Sequence, residues 1–103
     1  MADALRTPPT LEDLRAHRTE ILAIAARYGA SDVRVFGSVA RGEAVPGSDI
    51  DLLVNFSPGF SLLDLSELVQ DLQTLLGHRV QIASADHLRE ELAPYILKDA
   101  RPL

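Results

Sequence analysis

The feature that most constrains this chain is its switching of apolar period. Short β-branched runs, each about five residues long, alternate with longer stretches whose apolar residues recur at three- and four-residue steps. Val33-Arg34-Val35-Phe36, Ile50-Asp51-Leu52-Leu53-Val54 and Arg79-Val80-Gln81-Ile82-Ala83 read as strands. Leu11, Leu14, Ile21, Leu22, Ala25 and Tyr28 share one helical face, with Thr10 as its cap and Gly29 as its stop. Leu62, Leu65, Leu68, Val69, Leu72, Leu75 and Leu76 share another, opened by Ser61 with Asp64 and closed by Gly77. Ser84 is expected to open a last helix carrying Leu88 and Leu92, broken at Pro94 and followed by a turn with Tyr95, Ile96 and Leu97. The expected order is helix, strand, short helix, strand, helix, strand, helix. This is an α/β (α+β) fold with a small mixed three-stranded sheet packed with helices.

The 103 residues suffice for one core. The reading is a flexible N-terminus over 1–9 and a single domain over 10–103. Apolar residues at 47% and charged residues at 24% are the balance of a globular domain. The net charge of -5 lacks the basic footprint of a protein that grips nucleic acid, so no direct nucleic-acid binding is expected. The chain has no cysteine, which excludes disulfides and thiolate metal sites. No apolar run reaches the ~18 residues of a membrane span, and the first residues hold no apolar signal segment. A cytoplasmic setting is expected. His17, His78 and His87 have no ligand spacing and read as surface residues.

Chemistry concentrates in residues 36–52. Asp49 and Asp51 are two apart on a strand, so both project from one face while Ile50 points into the core. Paired carboxylates repel, and a hard divalent cation such as Mg²⁺ is the natural compensation. Gly37 ends a strand and permits close backbone approach. Ser38 stands where a short helix begins, so N–H groups there face a phosphate, and Arg41 one turn later supplies a cation. Ser48 reads as shaping the turn into the strand. No Gly-Lys-Ser/Thr is present, so this is not a P-loop.

Gly37-Ser38, ten residues, then Asp49-Ile50-Asp51 resembles the signature of the DNA polymerase β-like nucleotidyltransferase superfamily. Ala40-Arg41-Gly42 after the Gly-Ser, with Ser48-Asp49-Ile50-Asp51-Leu52-Leu53-Val54, resembles the minimal nucleotidyltransferase (MNT) domains most closely. Many of these resemble antitoxins paired with a HEPN-domain ribonuclease toxin. The resemblance implies transfer of AMP from ATP to a hydroxyl of that partner, commonly a tyrosine, with Mg²⁺. It places nucleotide binding on Gly37, Ser38 and Arg41, and metal binding and catalysis on Asp49 and Asp51. It also marks a departure. The family's third carboxylate corresponds to Gln81, whose amide is at best a weak metal ligand and no base. Asp86 is nearby in sequence but past the strand end. Two alternatives follow: a module that silences its toxin by binding alone, and a small-molecule transferase. Exposed apolar residues of the first helix or the C-terminal turn (Tyr95, Ile96, Leu97) are the candidate partner contacts.

Overall fold

The computed structural model describes residues 7–103. Of the segment expected to be flexible, residues 1–6 lie outside the described residues. Pro9 is buried, so the packed chain begins ahead of Thr10.

The expected first helix is two. α1 (Leu11–Ala16) and α2 (Arg18–Arg27) are separated at His17. The Thr10 side chain accepts the Asp13 N–H at 3.0 Å, capping α1 as the sequence suggests. At the junction the His17 N–H bonds the Leu14 carbonyl at 3.0 Å, which tightens the chain out of α-helical register. Leu14, Ile21 and Ala25 remain on one buried face through the break.

β1 (Ala30–Phe36), α3 (Gly37–Arg41), β2 (Ile50–Phe56), α4 (Leu62–Leu76) and β3 (Val80–Ser84) follow in the expected order. α4 opens with a reciprocal capping box between Ser61 and Asp64, and Gly77 closes it in the left-handed conformation at φ 71°. Its core face is narrower than the leucine pattern implies. Leu68 and Leu72 are buried, whereas Leu62 is 82% exposed.

The C-terminal expectation is corrected. Ala85–His87 form only a 3₁₀ turn, and the last helix, α5, spans Ala93–Asp99 with Pro94 in its first turn. Pro94 therefore starts a helix, because its missing N–H falls where no intrahelical bond is needed. Tyr95 and Leu97 are exposed and Ile96 is half-buried. Beyond it Arg101–Pro102 form β4, a fourth strand that the sequence pattern does not reveal.

The sheet runs β3-β2-β1-β4, with β2 and β3 parallel and the other pairs antiparallel. Ile50, Leu52 and Val54 face the main core with Leu68, Leu72 and Val35. Leu53, on the opposite face, is also buried. α5 packs against β1 and α3. Among the described residues no helix is long and apolar enough to cross a membrane.

Candidate active site

Sheet register brings the motif together. Phe36 at the end of β1 pairs with Asp51 near the start of β2, so Gly37 turns directly over the Asp51 side chain. Gly37 has φ 75°, and a Cβ there would collide with Asp51 Oδ2. Glycine is thus required twice, by backbone conformation and by space. α3 then runs from this contact, with Val39 buried to anchor it and Gly42 in the left-handed conformation at φ 73° to end it. The intervening loop is closed by Ser48, whose Oγ accepts the Val45 N–H at 2.9 Å. This is the turn-shaping role read from the sequence.

Asp51 is half-buried. Desolvation, and then the charge of Asp49, push its carboxyl above the ordinary range, while Arg41 pulls the other way. Two carboxylates in this position favour a nearby cation. Asp49 shows how the present residues answer that demand. Gln81 Nε2 donates to Asp49 Oδ2 at 2.8 Å. Arg79 Nε lies 3.1 Å from Asp49 Oδ1, an ion pair. The Arg79 N–H is off the hydrogen-bond line, so that buried oxygen has no hydrogen-bond donor. A carboxylate oxygen without a hydrogen-bond donor, beside a second carboxylate that lies under the Gly37 turn, suits a divalent ion.

Gln81 pairs in register with Asp51 across the parallel β2–β3 ladder, so its side chain stands on the same face as both aspartates. Gln81 thus stands beside the aspartate pair. Among the described residues no cluster of three or more His, Cys, Asp or Glu side chains could hold a metal ion. Asp86, beyond β3, lies with Phe56 and Phe60 around a cavity at the other end of β2, so it is no substitute.

Arg41 is engaged differently from the phosphate-facing expectation. Its Nε donates to Glu43 Oε1 at 2.9 Å, and its Nη1 donates to Asp99 Oδ2 on α5 at 2.5 Å. These two carboxylates, Glu43 first, hold the guanidinium above its ordinary range. Arg41 thus ties α3 to the C-terminal helix. The sequence reading missed Arg79, Glu43 and Asp99. Arg79 and Glu43 stand close in sequence to motif residues, but nothing local announces a carboxylate brought in from residue 99. His17 pairs with Glu20 at 3.0 Å and His87 with Ser84 Oγ at 3.1 Å, away from this cluster.

A mixed sheet with one of two neighbouring carboxylates set beneath a glycine-led turn frames the site. The chain belongs to the nucleotidyltransferase domain family, whose model matches residues 18–103. It is 39% identical over 94 residues to the protein adenylyltransferase MntA of Thermococcus cleftensis, spanning 87% of this chain and 92% of that protein. It is also similar to a solved minimal nucleotidyltransferase, with 52% identity, a TM-score of 0.80, and 91% and 96% of the two chains covered. The fold is shared with the Shewanella oneidensis complex of a tri-AMPylated HEPN toxin and an MNT antitoxin. There the TM-score is 0.65 and the identity 17%, over 85% of this chain and 69% of that one.

Proposed function

We propose that this chain is an antitoxin nucleotidyltransferase. It moves AMP from ATP to a hydroxyl, a tyrosine's by preference, on a cognate HEPN-domain ribonuclease toxin and so neutralises it. The observation that carries the reading is the seating of Gly37 against Asp51, with Asp49 beside it, in a member of this family. Relatives point the same way: one is a named protein adenylyltransferase, and another complex of this fold contains an AMPylated HEPN toxin. A cytoplasmic setting, where ATP and such a toxin meet, goes with this reading. So does the assignment of 10–103 to a single domain.

In the proposed reaction the acceptor hydroxyl oxygen attacks the α-phosphorus of ATP. The bond from that phosphorus to the bridging oxygen breaks, its electron pair leaving with pyrophosphate, and the hydroxyl proton passes to water. The products are an AMP ester of the partner and pyrophosphate. Asp49 and Asp51 would hold Mg²⁺, which when bound neutralises phosphate charge. The backbone N–H groups at Gly37 and Ser38, where the chain turns over Asp51 into α3, would receive the phosphates. Gln81 orients Asp49 through its amide but has no basic atom, so it does not take the hydroxyl proton. Arg41 would meet the nucleotide with the guanidinium N–H groups that Glu43 and Asp99 leave free.

Gln81 favours one second reading, in which the module silences its toxin by covering it without transfer. Incubation of the full chain with its partner, labelled ATP and Mg²⁺ separates the two. Transfer predicts label on the partner, falling at least about a hundredfold in Asp49→Ala and Asp51→Ala, or roughly 3 kcal/mol of barrier. A stable unlabelled complex that still silences the toxin would establish the binder.

A further inference from the structure

Asp49 meets a nitrogen group from the β3 side at each oxygen: Gln81 donates to Oδ2, and the Arg79 guanidinium lies at ion-pair distance from Oδ1 without a hydrogen bond. A divalent ion and a guanidinium both drawn against one carboxylate oxygen repel each other. We propose that Arg79 and the divalent ion exclude each other at Asp49 Oδ1, so that Arg79 is a displaceable counter-ion and a positioning residue of the site. This rests on the reading of Asp49 and Asp51 as the metal-holding pair.

Three observations support exchange over a fixed salt bridge. The Arg79 backbone is pinned beside the site, because its carbonyl accepts the Ile50 N–H at 2.9 Å. Its side chain is 78% exposed, against 24% for Asp49, so the guanidinium has open solvent into which to withdraw. The contact itself is weak in geometry, since Oδ1 receives no hydrogen bond from it. Arg79 thus offsets the repulsion between the carboxylates without the directional bonds that would make it hard to remove. The consequence is that the bare ion binds weakly. The ion is taken more readily with a polyphosphate, whose negative charge offers the departing guanidinium a second partner.

The test uses the full chain without nucleotide and Mn²⁺ alone as the probe, followed by the loss of its free-ion resonance signal. Arg79→Gln is expected to bind Mn²⁺ about two- to fivefold more tightly than wild type, the range an exposed ion pair carries. Arg89→Gln removes the same charge from an exposed arginine beyond the far end of β3 and is expected to leave the affinity unchanged. In chelator, Arg79→Gln is expected to melt below wild type, with the gap closing at saturating Mn²⁺. Equal or weaker Mn²⁺ binding by Arg79→Gln overturns the proposal. Equal tightening by both variants also overturns it, because the effect is then general charge and not exchange. Failure of both wild type and Arg79→Gln to take up Mn²⁺ removes the metal-site reading itself, and the exchange with it.

Discussion

At its first residues strand β2 holds Asp51 half-buried beside Asp49, under a turn where only glycine fits. At its last, Phe56 stacks on Phe60 with ring centroids 3.7 Å apart and planes 18° from parallel. There the Ser57 N–H also donates to the Gly29 carbonyl at 2.8 Å. The Phe56 end does what a strand end ordinarily does, covering apolar surface and satisfying backbone groups. The Asp51 end does the opposite. It concentrates like charge in a partly desolvated position and relies on Arg79, Gln81 and Arg41 to hold it. Such a local violation is affordable because the middle of the strand, Leu52, Leu53 and Val54, is at most 1% exposed. The contrast teaches that the site's contacts only offset its charge, while the packed centre of the strand holds it in place.

The sharpest way to break that contrast is to weaken the centre. Leu52→Ala removes a fully buried side chain from the face packed with Leu68 and Leu72. It is expected to lower unfolding free energy by about 2–5 kcal/mol in urea titration, a large share of what a small domain has. A loss below ~1 kcal/mol would show that the site end does not depend on this packing.

A smaller change sharpens the comparison at the site end. Gln81→Asp places a third carboxylate beside Asp49 and Asp51 in the register position already defined by the ladder. Transfer of label to the partner is expected to rise by about tenfold, or ~1.4 kcal/mol of barrier. In chelator the variant is expected to unfold more easily than wild type, since it adds repulsion where the chain is already least comfortable. An unchanged rate would mean that the reaction does not use this position.

How much of this was legible beforehand follows the range over which each interaction acts. The capping box at Ser61 and Asp64, the stop at Gly77 and the side-by-side aspartates are set by residues a few positions apart, and each is where the local pattern puts it. The proximity of Gly37 to Asp51 followed from the resemblance and is realised through the Phe36–Asp51 register. The C-terminal twenty residues were misread, because β4 is two residues long and exists through pairing with Arg34 and Val35, not through its own propensity. The break at His17 leaves the apolar period intact, so periodicity could not report it. The capture of Arg41 by Asp99 spans the domain and has no local signal. Leu62 satisfies a helical pattern yet lies exposed as the first residue of α4.

The smallest expected effect concerns Asp51 alone and has an unusual sign. An aspartate held by a favourable partner has its pKa lowered on folding, and folding weakens as acid removes the charge. Asp51 is raised instead, by desolvation and by Asp49. The folded chain therefore binds the Asp51 proton more readily than the unfolded chain does. Its ionised form opposes folding fully above the folded-state pKa, and that opposition fades as pH falls toward the unfolded value. Asp51→Asn should accordingly be the more stable protein in chelator at pH 7, by less than about 1 kcal/mol because the group is partly solvated. The advantage should shrink as pH is lowered through the carboxylate range. Thermal or urea unfolding of both proteins across that range measures it, with transfer activity lost in the variant at every pH. A variant less stable than wild type at neutral pH would mean that Arg41 outweighs burial and Asp49 together, and that this end of β2 holds its charge without strain.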